Sequence, residues 1–295
     1  MTKNLNTIDT STADLQKIDD KNIATGAMDD ALWREMLYYK EQSPSQISNP
    51  AAGVDPLAFA ALCDIYGPLC GDEDRYVAAH LGQSLDGRIA TVTGASHYVT
   101  GPTDILHNHR LRALFDAVIV GAGTVALDDP RLTVRLCAGD NPVRVVLDPK
   151  RRLSDAYQVF QDGQVETLLI CDNARAGENE FHGKAAVIGA PLYSGTDGIG
   201  GSDCSGLCPT RVLNILAARG LKRVFIEGGG VTVSRFLHAE RLDRLHITVA
   251  PIIIGSGRPA ITLPPIESLS DGRRPHMRRF DFGDDLLFDC DLSHG

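Results

Sequence analysis

The sequence predicts an α/β fold in which helices cover the faces of a sheet, and two observations carry this prediction. Short runs of consecutive apolar, often β-branched residues recur from residue 76 onward, which is typical of strands buried on both faces. Helical segments separate several of these runs, and such alternation is typical of a sheet packed between helices. The predicted strands are 76–82, 87–92, 117–121, 143–148, 166–171, 184–189, 222–227 and 243–254, with a late pair at 278–283 and 285–291.

The predicted helices of this region are bounded by residues that favour helix ends. Pro102 suits a first helical turn, because the N–H group that it lacks would have no intrahelical partner there. Gly220 suits the position after a last helical residue, where a left-handed backbone conformation is common. We therefore predict helices at 102–115, 209–219 and 231–239.

The N-terminal quarter of the chain differs in composition from the rest. Its first 28 residues are polar and rich in Thr, Asp, Asn and Lys, so we expect them to be disordered. Two short helices are predicted at 31–39 and 56–66, too small to form a core of their own, and we expect them to pack on the main domain or on a partner subunit. The predicted regions are a disordered N-terminus at 1–28, a short helical extension with a linker at 29–75, and one domain at 76–295.

Charge and composition argue against several classes of partner. The net charge is −9 and no block of Lys and Arg is long enough for a nucleic-acid-binding arm, so we predict no nucleic-acid partner. The N-terminus has no apolar signal core, and no segment approaches the ~18 consecutive apolar residues of a membrane-spanning helix. Seven cysteines without a C-x-x-C pair are typical of reduced thiols, and we predict a cytoplasmic protein with no membrane partner.

A first glycine motif follows the predicted strand 117–121. Gly121, Gly123 and Ala126 fit the G-x-G-x-x-G/A pattern of dinucleotide-binding domains. A Rossmann crossover needs at least ~10 residues with a real helix, and fewer than that separate Gly121 from Pro130. We therefore interpret this motif as something other than a Rossmann site.

A second glycine motif, at 228–230, joins the predicted strand 222–227 to the predicted helix 231–239. Glycines allow close approach of a ligand to the backbone, and the helix N-terminus offers N–H groups and a positive dipole end to a pyrophosphate. The alternative is a tight turn without a ligand. Because three successive glycines destabilise a fold that has no need of them, we favour phosphate binding.

Six segments of the chain form an ordered set that is specific as a whole, although each is weak alone: 82–90, 94–100, 121–135, 142–148, 226–230 and 250–255. Within residues 76–291 they resemble, in family order, the pyrimidine reductases of riboflavin biosynthesis, above all the reductase half of the bifunctional deaminase/reductase. The resemblance implies a dihydrofolate-reductase-like α/β fold with a mixed, mostly parallel sheet and helices on both faces, in a homodimer.

The resemblance also implies an activity and its ligands. NADPH would reduce the ribose of 5-amino-6-(5-phosphoribosylamino)uracil, a phosphoribosylaminopyrimidine, to a ribityl chain. Carried over by position, the residues in contact with substrate are Ser96, Arg112, Leu132, Arg135 and Glu227. Those in contact with NADPH are Gly82, Tyr98, Thr124, Asp128, Gly229, Gly230, Val231, Thr232, Val233, Ser234 and Arg235.

The chemistry suits these residue types. Arg112 and Arg135 can hold a phosphate by bidentate contacts, and Glu227 can stabilise a cationic imine or orient ribose hydroxyls. Each residue also has an ordinary explanation. Arg112 can be a solvated helix residue, Arg135 can pair with a surface acid, and Glu227 can favour the positive end of the helix that follows it.

Two positions depart from the family pattern and leave the substrate open. Position 80, often Lys in the bifunctional relatives near the ribose and the glutamate, is His80. We predict His80 and Glu227 as catalytic residues, against the alternative of a core histidine. The strand ending at Asp148 is often followed by Ser, and here Pro149 and the basic residues 150–152 follow, which can neutralise a 2′-phosphate.

Other functions remain as alternatives at this point. One is a reductase of the same fold for another pyrimidine or pterin-like substrate, and another is a catalytically silent binding or regulatory protein. A zinc deaminase needs H-x-E followed by P-C-x-x-C. The segment 238–240 supplies an H-x-E but no P-C-x-x-C exists in the chain, so we predict no zinc and no deamination.

Overall fold

The fold is known from a computed structural model that describes residues 21–42, 53–71, 75–193 and 206–293. The expectation that residues 1–28 are disordered falls mostly outside these ranges. The described strands, in chain order, are β1 (Tyr76–Ser84), β2 (Arg88–Thr91), β3 (Ala117–Gly121), β4 (Val143–Leu147), β5 (Thr167–Asp172), β6 (Phe181–His182), β7 (Ala185–Ala190), β8 (Leu192–Tyr193), β9 (Gly206–Leu207), β10 (Arg223–Glu227), β11 (Arg244–Ala250), β12 (Gly257–Pro259), β13 (His276–Phe282) and β14 (Asp285–Asp291).

Ten of these strands form one mixed sheet in the order β13-β14-β11-β1-β10-β3-β4-β5-β7-β6. The seven strands from β11 to β7 run parallel, while β14, β13 and β6 are added antiparallel at the two edges. The small sheets β12–β2 and β8–β9 stand apart. The predicted fold, a mixed and mostly parallel sheet with helices on both faces, is confirmed.

The described helices are α1 (Lys21–Gln42), α2 (Pro56–Tyr66), α3 (Pro102–Leu114), α4 (Ala122–Asp128), α5 (Gln158–Gln161), α6 (Pro209–Ala217) and α7 (Gly230–His238). Helix α2 has the predicted bounds, and α3, α6 and α7 end within two residues of theirs. Helix α1 is longer than the predicted 31–39 and takes in residues 21–28, which we had expected to lack structure. Helix α4 was not predicted.

Two hydrophobic clusters cover the two faces of the sheet. Alternate residues of β1 belong to different clusters, Ala78 to one and Val77 to the other. The first cluster includes Trp33 and Tyr66 of the N-terminal helices, so this extension is one helical layer of the domain and packs on it as expected. The second cluster is covered by α6 and α7, whose buried residues include Leu213.

The six cysteines among the described residues are free thiols, and Cys204 lies outside those residues. In the part of the chain that the structure describes, no helix combines the length and the apolarity needed to span a membrane.

Candidate active site

One large cavity opens along the carboxyl edge of the parallel strands. It is reached by the ends of β1, β3, β4 and β10 and has a volume of about 1420 Å³. Ligands of α/β sheets bind at this edge, and a pocket for one small molecule measures roughly 300–1,000 Å³. The cavity therefore has room for two ligands side by side.

Two strand-to-helix turns form one wall of the cavity. Gly228 and Gly229, between β10 and α7, have φ of 64° and 70°, a region that side chains disfavour. A Cβ on Gly229 would lie 2.8 Å from Thr124 Oγ1 of α4, and a Cβ on Gly121 would lie 2.5 Å from Thr232 Oγ1 of α7. The glycines therefore let the two turns interlock, and Gly230 and Val231, the first residues of α7, line the cavity at the end of the helix that suits an anion.

Glu227, at the end of β10, is held by Arg112 of α3. Arg112 Nε donates to Glu227 Oε2 at 2.7 Å, Arg112 Nη2 donates to Oε1 at 2.5 Å, and Nη1 donates to the Thr133 carbonyl at 2.8 Å. Arg112 is buried, so the explanation as a solvated helix residue is wrong. Two of its donors are committed to Glu227, so the structure leaves no open guanidinium fork for a phosphate on Arg112.

Arg135 lies beside this pair with most of its donors uncommitted. Its Nη1 donates to Thr133 Oγ1 at 2.6 Å, and its Nε and Nη2 have no hydrogen bond among the described residues. Burial and the positive charges of Arg112 and Arg131 lower the pKa of Arg135. Three arginines thus share this end of the cavity with Glu227, which favours an anionic ligand there.

His80, on β1, is buried between β11 and α3. Its Nε2 lies 2.9 Å from Asp104 Oδ1 and 3.2 Å from Thr248 Oγ1. The carboxylate that pairs with His80 is therefore that of Asp104, which we had not predicted, whereas Glu227 is its neighbour in strand register. Burial alone would lower the pKa of His80, but Asp104, and then Glu227, raise it above the ordinary value.

A third group of polar residues lies after β4. Lys150 and Arg152 line the cavity, and neither side chain has an ion-pair partner among the described residues. Arg151 has left-handed φ and pairs with Glu180, with Nη2 2.6 Å from Oε1. Asp148 is buried, and its Oδ1 has no hydrogen-bond partner among the described residues. This end of the cavity thus offers two cations and one acceptor to a ligand.

Most of the predicted site residues line the cavity. Those that do are His80, Gly82, Ser96, Tyr98, Arg112, Thr124, Asp128, Leu132, Arg135, Glu227, Gly229, Gly230, Val231, Thr232 and Arg235. Ser96 and Asp128 are bonded to each other, with Ser96 Oγ donating at 2.9 Å.

Two predicted cofactor contacts do not line the cavity. Val233 is packed in the core, and Ser234 Oγ accepts a hydrogen bond from the Thr262 N–H at 2.9 Å. The cause is helical periodicity, because consecutive residues of α7 point to different sides and only some of them face the ligand.

Sequence reasoning missed Asp104 and Asn108, which line the cavity from α3. With Arg112 they stand four residues apart, so they share one face of the helix. That spacing was a usable signal, since the family resemblance pointed to Arg112.

The H-x-E segment lies where α7 ends at His238, and the described residues contain no cluster of His, Cys, Asp and Glu that could hold a metal ion.

The fold and this cavity define a class, the reductase-type domains with the dihydrofolate-reductase-like fold. Within that class, the chain belongs to the family of the RibD C-terminal domain, whose model matches residues 75–281. The chain is 34% identical over 222 residues to the 2,5-diamino-6-ribosylamino-4(3H)-pyrimidinone 5′-phosphate reductase of Methanothermobacter thermautotrophicus, covering 72% of this chain and 95% of that protein.

Two further relatives extend well beyond the matching region, and a third is matched over almost its whole length. The riboflavin biosynthesis protein RibD of Bacillus amyloliquefaciens is 35% identical over 181 residues, which are 61% of this chain but 46% of that protein. The structure of the deaminase/reductase of Thermotoga maritima has a TM-score of 0.57 at 27% identity, covering 81% of this chain and 62% of that one. The reductase Rib7 of Saccharomyces cerevisiae, with a TM-score of 0.59 at 21% identity and coverage of 78% and 98%, shares the fold.

Proposed function

We propose that this protein is an NADPH-dependent reductase that converts the ribose of 5-amino-6-(5-phosphoribosylamino)uracil to a ribityl chain in riboflavin biosynthesis. The observation that carries the proposal is that two sites share one cavity. One end is lined by the glycine turns, and the other, which we call the arginine corner, holds Arg112, Arg131 and Arg135 with Glu227 and His80. Family membership, and relatives named as a phosphoribosylaminopyrimidine reductase and as a riboflavin biosynthesis protein, support a reductase of this pathway.

The cavity fits NADPH at its glycine-lined end. The unpartnered Asp148 Oδ1 can accept a hydrogen bond from a cofactor hydroxyl or amino group, and the start of α7 can bind the pyrophosphate. Lys150 and Arg152 can neutralise a 2′-phosphate, whereas Arg151 is committed to Glu180. We therefore propose a preference for NADPH over NADH. When bound, the cofactor supplies a hydride.

The arginine corner fits the sugar phosphate and the reacting ribose. Arg135 offers uncommitted donors to a phosphate, and Glu227, held by Arg112, would lie beside the reacting carbon of the bound ribose. The reaction opens the C1′–O4′ bond of the ribose, the exocyclic nitrogen forms an imine with C1′, and O4′ gains a proton. Transfer of hydride to C1′ then completes the ribitylamine, so one NADPH and one proton are consumed.

A second candidate substrate is the 2,5-diaminopyrimidinone form of the same phosphoribosyl compound. The relative named for that activity is matched over 95% of its length, whereas the RibD relative is matched over 46%. The two substrates differ at one ring substituent, an amino group in place of an oxo group. We also propose, from the family resemblance, a cytoplasmic homodimer.

The test is NADPH oxidation at 340 nm with each pyrimidine, together with detection of the ribityl product by mass spectrometry. We expect turnover with the uracil substrate and at least tenfold lower kcat/KM with NADH. Faster turnover of the diamino compound would transfer the assignment to that substrate.

A matched pair of variants examines the cofactor preference. Exchange of both Lys150 and Arg152 for Ala should abolish most of the preference for NADPH, whereas Arg151→Ala should leave it intact.

No product from either pyrimidine, in a protein that binds NADPH, would favour the catalytically silent alternative and contradict the proposal.

A further inference from the structure

The His80–Asp104 ion pair is enclosed by protein and still borders the cavity. Both side chains are almost inaccessible to solvent, at 3% and 1% exposure. Asp104 accepts two more hydrogen bonds, from Thr248 Oγ1 to Oδ1 at 2.6 Å and from Thr100 Oγ1 to Oδ2 at 2.7 Å. An ionised carboxylate is an acceptor only, so these donors match the anionic form of Asp104.

His80, His107 and His246 form a cluster of buried histidines, and of these three only His80 has a raised pKa. The groups that face His80 explain the difference. On α3 these are Asp104, His107 and Asn108, on β10 Glu227, and on β11 His246 and Thr248. Burial, then the neighbouring histidines, hold the pKa of His107 well below its ordinary value. Burial also lowers the pKa of His246, although Asp289 opposes the shift.

The neutral histidines form a chain of contacts that fixes the cluster in place. Tyr66 Oη lies 2.8 Å from His107 Nδ1, and His107 Nε2 lies 3.0 Å from His246 Nδ1. Each of these rings is engaged by a partner other than His80. The charge of His80 is therefore balanced by Asp104 and supported by Glu227 across the strand register.

We propose that Asp104 is a positioning residue of this site, which fixes the His80 ring and keeps it a cation beside Glu227. The proposal rests on the proposed function, in which this corner holds the reacting ribose. The cation stabilises the negative charge that develops on O4′ as the C1′–O4′ bond opens. A lysine at position 80 would stay charged by itself, whereas a buried imidazole needs a carboxylate partner.

The first experiment is an NMR pH titration of His80 through its ring nitrogens, in the full chain without ligand, assigned with a His80→Lys variant. In the wild type His80 should titrate above pH 6.5, the ordinary value for a histidine. In Asp104→Asn its titration should move down by more than one pH unit. A wild-type His80 that titrates below pH 6.5 overturns the proposal, even if the Asp104 variant does not fold.

The second experiment is the pH dependence of kcat. Wild-type activity should fall as pH rises through the raised pKa of His80, and this alkaline limb should move to lower pH in Asp104→Asn. The variant should therefore lose at least tenfold more activity at pH 8 than at pH 5.5. An unchanged profile contradicts the proposal.

A matched control is Asp285→Asn. Asp285 is a buried carboxylate that accepts a hydrogen bond from the Gly101 N–H at 2.6 Å, just before α3, and it does not line the cavity. Its loss should lower activity by a similar factor at both pH values. A wild type inactive on both pyrimidines would contradict the proposed function, while the NMR titration would still decide the role of Asp104.

Discussion

Arg135 differs from Arg112 in how many of its donors are committed within the protein. Arg112 is tied to Glu227 by two hydrogen bonds, whereas Arg135 uses only Nη1 among the described residues. If Arg135 binds the substrate phosphate, Arg135→Ala should raise KM and cost about 1.5–3 kcal/mol of substrate binding, the worth of a charge-assisted hydrogen bond. Steady-state kinetics with both ligands varied should show an almost unchanged affinity for NADPH.

The control for this prediction is Arg131→Ala. Arg131 belongs to the same group of positive charges, but its Nε donates to Gln158 Oε1 at 2.9 Å. We expect a smaller rise in KM for this variant. A KM for substrate that stays at the wild-type value in Arg135→Ala would remove Arg135 from the phosphate site.

At the same scale, residues that the family resemblance places were predictable, and residues that it does not mention were not. Glu227 and Arg112, carried over by position from the family resemblance, both line the cavity. Asp104 was missed because a carboxylate in a helix usually faces solvent, and only the packed structure shows His80 opposite it. The pairing of Arg112 with Glu227 was also invisible, since 115 positions separate them.

Among the elements, α4 offers a clean test of cofactor binding. Gly229→Val would be strained even without a ligand, because Gly229 has φ of 70° and a Cβ there would lie 2.8 Å from Thr124 Oγ1. Gly123, in the first turn of α4, lines the cavity and has nothing within 4 Å of an added Cβ. Gly123→Val should therefore weaken NADPH binding at least tenfold in a titration, while the urea midpoint stays near the wild-type value.

Ala126→Val is the matched variant for this test. Ala126 is exposed on the same helix and does not line the cavity, so its replacement should leave NADPH affinity unchanged. Wild-type affinity in a folded Gly123→Val protein would mean that the cofactor does not approach α4.

The N-terminal extension is a structural layer by the evidence of its buried residues. Trp33 is fully buried, its Nε1 donates to the Ala138 carbonyl at 2.7 Å, and its ring meets that of Tyr66 at 5.2 Å. Trp33→Ala should cost about 3–5 kcal/mol in urea unfolding, as large-to-small core changes do. Tyr38→Ala on the same helix, at 56% exposure, should cost less than about 1 kcal/mol. Equal losses would argue against a packed layer.

Two elements were misplaced by sequence reasoning, each for its own reason. The apolar run 243–254 was predicted as one strand, but β11 ends at Ala250 and Ile253 is 75% exposed. Apolar periodicity alone cannot tell a buried strand from an exposed apolar segment. Helix α4 was missed because Pro130 argued against a helix, whereas the chain fits seven helical residues and closes them with Asp129 at φ 39°.

For the whole molecule, buried histidines predict a loss of stability in acid. Burial and nearby positive charges lower the pKa values of His107 and His246, and burial with Arg112 and Arg135 lowers that of His109 to about 3. Below pH 6.5 the unfolded chain binds protons at these residues and the folded chain does not, so the free energy of unfolding falls as pH falls. His80 acts oppositely, since its raised pKa adds stability that is lost as pH rises through it.

Urea unfolding at pH 5, 6, 7 and 8 measures this dependence, and we expect greatest stability near neutral pH. His109→Gln should reduce the slope below pH 6.5 by about 1.4 kcal/mol per pH unit, the value of one proton. A slope identical in the variant and the wild type would mean that His109 is protonated in the folded protein.

The place of β1 in the sheet governs how the chain can fold during synthesis. This strand, the first of the domain, pairs with β10 and β11, which follow it by more than 130 residues. Ribosomes add about 5–20 residues per second, so β1 leaves the ribosome roughly 8–30 s before its second neighbour exists. Such non-local pairing slows folding. Until β10 and β11 are synthesised, both edges of the apolar strand β1 are unpaired and can associate with other chains. Production of this protein should therefore depend on chaperone capacity and temperature more than its net stability suggests.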